Sequence, residues 1–343
     1  MQRSRTAPLL RWAAEAARGW RRVVRRLAIL ACAGGALALG GCAFVLPQTE
    51  AVRGHWPAGL PDHAELDGVP FFAQQAYQCG PASLAMTMQD AGVSVTPDAL
   101  VSRVYLPERQ GSLQIEMVAA PRAFGLVSWP LAPRLEDLLR EVAAGSPVIV
   151  LQDYGIWPFH VWHYAVVVGY DRERRRVVLR SGEKERLEMP FAVLEYTWKP
   201  GGYWAMVALP PGRIAATADE AAWSGAVAAM ARVAPAAAGL EAYRTLLARW
   251  PDSLMGAIGL ANLHYQHGEL EDAEAVLRRA VERHPDSTVA LNNLAQVLAE
   301  RQQLAEALRL AERAVALGGP FRQAAEETRA GIRAKMAASP SAL

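Results

Sequence analysis

Cysteine is scarce in this chain of 343 residues, which has only Cys32, Cys42 and Cys79. Cys32 lies inside an apolar leader and Cys42 ends it, so Cys79 is the one thiol of the folded body. A disulfide-stapled framework is thereby excluded unless Cys42 stays free. The paired Cys or His spacings of structural zinc sites are missing as well. No apolar run reaches the roughly 20 residues that a membrane-crossing helix needs. Basic charge is concentrated at one end: eight arginines stand against Glu15 in residues 1–26. The leader's +7 exceeds the chain's +2, so the remainder is mildly acidic, about −5 with His neutral. That balance argues against a nucleic-acid partner.

The basic start is followed by an apolar run over residues 27–39, the pattern of a secretory signal. It closes on Leu39, Gly40, Gly41 and Cys42, which resembles the bacterial lipobox. The resemblance implies cleavage after residue 41 and lipidation of Cys42. With Ala43 next, it further implies an envelope protein anchored by lipid, at the outer membrane and facing the periplasm. Residues 42–66 then read as lipidated cysteine and linker, with three prolines, two glycines and no clear periodicity up to residue 65.

The body is organised around QQAYQCGPASLAM, residues 74–86. Pro81 suits a first helical turn and Gly92 a stop, which predicts a helix opened by Cys79. Leu84, Ala85, Met88 and Ala91 recur at helical spacing and predict one buried face. Amide hydrogens at a helix amino end favour the thiolate, the nucleophilic form of cysteine. Further helices are expected from Thr96, from Ser112 to Gly125, and over residues 135–144. Strands are expected over 147–151, from His163 through Val168, over 177–179 and over 203–209. Helices first and antiparallel strands later indicate an α+β domain over residues 67–213.

QCGPASLAM followed by HYAVVVGYD, residues 163–171, resembles the papain-like cysteine peptidases related to the bacteriocin-processing, double-glycine family. The resemblance implies Cys79 as nucleophile, His163 as base and Gln74 as oxyanion donor, with Gln75 and Gln78 as neighbouring alternatives. His160 is the rival base. It also implies an acid or asparagine on the next strand, where Leu179, Arg180, Ser181 and Gly182 stand instead. Ser181 is the substitute orienter: its hydroxyl can accept from an imidazole N–H but stabilises imidazolium less than a carboxylate would. Tyr154, Trp157, His160 and Trp162, in an aromatic loop, are expected to line the substrate cleft. Cys79, His160 and His163 could also be read as metal ligands, but the zinc-like spacings are missing. Neither metal nor cofactor is expected.

From residue 220 the composition turns to alanine, leucine and arginine, and a 34-residue period appears over 220–253, 254–287 and 288–321. Trp223, Ala257 and Leu291 share one position; Ala273 and Ala307, and Ala280 and Ala314, share others. The pattern resembles three tetratricopeptide repeats, an all-α solenoid whose concave face implies a peptide or protein partner. Residues 322–343 read as capping helix and tail. The sequence thus describes an envelope-anchored cysteine peptidase acting on a peptide or protein, or on a cell-wall peptide. The contrasting reading is a noncatalytic scaffold on a degenerate peptidase fold.

Overall fold

The computed structural model describes residues 46–74, 78–109, 111–156 and 158–338. The leader and Cys42 lie outside the described residues, and so does Trp157. Among the described residues no helix is long and apolar enough to cross a membrane.

The first half is a seven-stranded antiparallel sheet with helices on both faces. In chain order the elements are α1 (Pro47–Gly54), β1 (His63–Glu65), α2 (Cys79–Asp90) and α3 (Pro97–Val104). A small hairpin of β2 (Tyr105–Leu106) and β3 (Gly111–Ser112) leads to α4 (Gln114–Ala119), β4 (Val127–Pro130) and α5 (Leu135–Ala143). Then come β5 (Val148–Asp153), β6 (Trp162–Asp171), β7 (Arg176–Ser181), β8 (Lys184–Pro190), α6 (Phe191–Trp198) and β9 (Ala205–Leu209). The sheet order is β4-β9-β5-β6-β7-β8, and β1 pairs with the far end of β6.

Successive side chains of a strand point to opposite faces, and both faces here are covered. Val148, Val150, Ala165, Val167 and Leu179 pack with Leu138, Leu139 and Leu194 of α5 and α6. Ile149, Val166, Val168 and Val178 pack on the other face with Leu84, Ala85 and Met88 of α2. Every residue of α2 from Gly80 to Met88 is buried, so the expected one-sided helix is instead wrapped on all sides. Gly92 ends it at φ +87°, a conformation that favours glycine.

The expected linker needs correction. Within residues 42–66, α1 and β1 are ordered parts of this body. Glu195 accepts hydrogen bonds from the backbone N–H groups of Gln48 (3.0 Å) and Thr49 (2.6 Å) at the start of α1. β1 pairs with Gly169, Tyr170 and Asp171. A carboxylate at a helix amino end satisfies otherwise unpaired donors, and partners almost 150 residues away are invisible to local pattern. β8 and α6 were likewise not expected, because β8 is a charged edge strand whose first three residues are exposed.

Seven helices follow: α7 (Glu220–Ala231), α8 (Ala236–Arg249), α9 (Leu254–Gln266), α10 (Leu270–Arg283), α11 (Thr288–Glu300), α12 (Leu304–Leu317) and α13 (Arg322–Ala338). The shared repeat positions are buried, among them Trp223, Leu291, Ala273 and Ala307. Small residues let the helices approach: a Cβ at Gly259 would lie 2.3 Å from the Tyr243 ring. The helices continue the core of the sheet. The ring centroids of Trp129 on β4 and Trp223 on α7 are 5.5 Å apart. Trp129 Nε1 donates to Thr217 Oγ1 at 2.9 Å, and Thr217 donates through its N–H and hydroxyl to Glu141 Oε1 of α5 at 2.8 and 2.7 Å.

Candidate active site

Cys79 is the first residue of α2 and its only residue before Asp90 that is neither fully buried nor flanked by turns of its own helix on the amino side. Gln78 makes no side-chain cap, so the first amides are left for the thiol. The backbone amides of Tyr164, Gly80 and Cys79 draw the thiol's pKa down and favour the thiolate. Burial is the larger effect, and it pushes the thiol above its ordinary value. The activated thiolate expected from the helix end is therefore not the resting form. Gly80 has a steric reason: a Cβ there would lie 2.3 Å from Ser112 Oγ, so only glycine lets α2 approach β3 this closely.

His163 is the second residue of β6, beside Tyr164, whose backbone amide draws the Cys79 thiol towards the thiolate. His163 Nε2 lies 3.0 Å from Ser181 Oγ at the end of β7, and the imidazole stacks on Tyr154 with centroids 5.3 Å apart. Burial lowers its pKa to about 4, which leaves the imidazole neutral near pH 7. At rest both groups are neutral near pH 7, since burial raises the thiol and lowers the imidazole.

Gln74 clips three elements together. Its N–H and Oε1 exchange hydrogen bonds with the carbonyl and N–H of Gly182, both 3.0 Å. Its Nε2 spans Ser83 Oγ of α2 and the Tyr164 carbonyl of β6, each at 3.3 Å, near the outer limit of a hydrogen bond.

The aromatic loop is an extension of the β5–β6 hairpin. Asp153 pairs with Trp162, and Ile156 with Phe159, in one continuous register. Gly155 is required by this tight turn, since a Cβ would lie 2.0 Å from the Phe159 carbonyl. Alternation places Tyr154, Ile156, Phe159 and Val161 on the face of His163. His160 and Trp162 fall on the opposite face, stacked on each other at 5.3 Å. His160 Nδ1 lies 2.6 Å from Asp153 Oδ2, and Asp153 Oδ1 accepts from the N–H groups of Gly155 and Val161. Asp153 is thus the internal brace of the hairpin, and these bonds hold its carboxyl below the usual range despite burial. The opposed faces also separate His160 from His163 as joint metal ligands. Among the described residues, a clustered set of side chains able to hold a cation is His264, Glu269 and Asp272 in the repeats.

Residues 66–203 match the Peptidase C39 like family, and residues 258–328 match a tetratricopeptide repeat. The chain carries a C39-like peptidase-family domain followed by tetratricopeptide repeats. Two solved structures are similar to parts of the chain. One, from Bacillus anthracis and described as a C39-like peptidase, is 20% identical, covers 43% of this chain and 98% of its own, and has a TM-score of 0.35. The other, the first tetratricopeptide-repeat domain of Spaghetti bound to an HSP90 peptide, is 20% identical, covers 30% of this chain and 80% of its own, and has a TM-score of 0.28. No curated protein matches the chain.

Within the C39-like domain, Cys79, His163, Ser181 and Gln74 come together at the junction of α2, β6 and β7. Gln152 and Thr197, which complete the polar layer beneath His163, were not foreseen. Gln152 follows the strand expected over 147–151 and reads as the start of the aromatic loop, and Thr197 sits on the unexpected α6.

Proposed function

We propose that this protein is a cysteine peptidase that works from a neutral Cys79–His163 dyad. The observation that carries the reading is the Cys79 thiol at the head of α2, drawn towards the thiolate by the backbone amide of Tyr164, the residue next to His163 in β6, within the C39-like domain. As a peptide carbonyl approaches, the Cys79 sulfur attacks its carbon while His163 takes the thiol proton. No thiolate need accumulate beforehand. His163 then returns the proton to the leaving amine, and water, deprotonated by the same ring, releases the acid and restores the thiol. The Cys79 N–H and the Gln74 amide are the donors for the developing oxyanion; the 3.3 Å contacts of Gln74 are weak enough to be exchanged for it.

The apolar shelf of Ile156, Phe159 and Val161 lies exposed on the His163 face and suits apolar substrate side chains beside the cleaved bond. The repeats present a protein substrate or bind a partner. The leader and Cys42 anchor the protein to the cell envelope, at the outer membrane facing the periplasm. The raised thiol and lowered imidazole favour one other reading, a peptidase fold kept as a noncatalytic scaffold. Incubation of the full mature chain with a mixed peptide library, read by mass spectrometry, separates the two. Cleavage by the wild type that disappears in Cys79→Ala and in His163→Ala is expected. An inert wild type, or cleavage that survives Cys79→Ala, would leave the scaffold.

A further inference from the structure

A serine in place of an orienting acid leaves a proton to account for. If Ser181 Oγ accepts from His163 Nε2–H, its own hydrogen needs an acceptor. The buried polar layer beneath the imidazole supplies one, and the chemistry of each group fixes its direction.

Thr197 is the starting point. Its hydroxyl donates back to the carbonyls of Val193 (2.9 Å) or Leu194 (3.1 Å) in α6, so its oxygen is left to accept. Gln152, fully buried on β5, places its amide nitrogen 2.7 Å from that oxygen, with Met189 Sδ as a second, weaker acceptor at 3.5 Å. The amide is thereby oriented, and its Oε1 faces Tyr154. An amide oxygen only accepts, so at 3.0 Å the Tyr154 hydroxyl must donate to it. The phenolic oxygen is then free to accept, and the Ser181 hydroxyl acts on the Tyr154 phenol, drawing its pKa down against the larger effect of burial. Ser181 Oγ lies 3.0 Å from His163 Nε2, and a serine hydroxyl that gives its hydrogen to Tyr154 is left to accept from that nitrogen.

We propose that Gln152 and Tyr154 are positioning residues in a one-way hydrogen-bond relay, His163 Nε2–H to Ser181 to Tyr154 to Gln152, that holds His163 as the Nε2–H tautomer. The Nδ1 lone pair is thereby kept for the Cys79 proton. Such a chain polarises each member in turn and does for the neutral imidazole part of what a carboxylate does for an imidazolium. It gives Tyr154, expected to line the cleft, a role beneath the base instead, with its ring stacked on the imidazole it helps to orient. The relay's catalytic meaning rests on the peptidase reading above, but its existence does not.

The test is imidazole nitrogen NMR on the full mature chain carrying 15N-histidine, with His163 assigned by its loss in His163→Gln. The wild-type ring is expected to be protonated at Nε2 and bare at Nδ1 near pH 7. Tyr154→Phe keeps the stacked ring and removes the hydroxyl, and should shift the tautomer ratio about fivefold towards Nδ1–H, the weight of roughly one hydrogen bond. Gln152→Glu retains an acceptor for Tyr154 and should preserve the wild-type ratio, whereas Gln152→Leu should match Tyr154→Phe. A wild-type ring protonated at Nδ1, or a ratio unmoved by Tyr154→Phe, would overturn the relay. Where Gln152→Leu does not fold, Tyr154→Phe decides alone. If the ratio moves as expected while the peptide library stays intact, the relay stands and the peptidase reading falls. If catalysis is present, Tyr154→Phe should lower kcat with KM little changed.

Discussion

Backbone amides of α2 and of Tyr164 on β6 favour the Cys79 thiolate, yet the burial of the thiol outweighs them. The same burial keeps His163 neutral, with consequences for stability as well as catalysis. Unfolded His163 takes up its proton near pH 6.5, the folded residue only near 4. Between those values the unfolded chain binds the extra proton, so stability falls as pH falls, by up to about 3 kcal/mol. Urea midpoints at pH 7 and pH 4.5 should therefore drop further in the wild type than in His163→Gln. Equal drops would show that the imidazole is not held neutral. Cys79, His163 and Ser181 were legible as motif positions because each sits at the start or end of a regular element. The direction of the thiol shift was not, since it depends on Met117, Tyr164 and other neighbours brought in from distant parts of the chain.

Elements place these residues through close approaches that particular glycines permit. At Gly80 the intruding atoms would be the hydroxyl and Cβ of Ser112, at 2.3 and 2.7 Å, on a short strand with little room to retreat. Gly80→Ala should destabilise the protein by about 1–3 kcal/mol, visible as a lowered thermal midpoint. An unchanged midpoint would mean that β3 yields freely. The helix over α2, the break at Gly92 and the strand leading from His163 were readable from periodicity and turn residues. α1 was not, because its order comes from Glu195, far away in sequence, and its own eight residues bury only two side chains, Thr49 and Val52.

Across the whole molecule the sheet and the repeats meet at Trp129, Trp223 and Thr217, with Glu141 beneath them. Glu141 is fully buried, its Oε2 has no hydrogen-bond partner, and burial raises its pKa above the ordinary carboxylate value. A folded pKa above the unfolded one means that the folded state holds the proton more tightly. This stabilisation is present below the unfolded value near 4.5 and lost as pH rises through the folded one. Glu141→Gln keeps an acceptor for Thr217 without the charge, and should raise stability at pH 8 relative to the wild type, with the gain shrinking towards pH 4. A loss of stability at both pH values would show instead that the charged carboxylate holds the junction. The repeat period was legible from small residues such as Ala273 and Ala307, but its shared core with the sheet was not, since Trp129 and Trp223 give no sign of being partners.

Intact-mass analysis of the full mature chain, quenched in acid during reaction with the peptide library, tests the nucleophile most directly. The expected result is a peptide acyl adduct on Cys79, present in the wild type and absent from Cys79→Ala. Peptide products formed without any adduct on Cys79, or an adduct that persists in Cys79→Ala, would contradict a mechanism in which this thiol attacks the peptide bond.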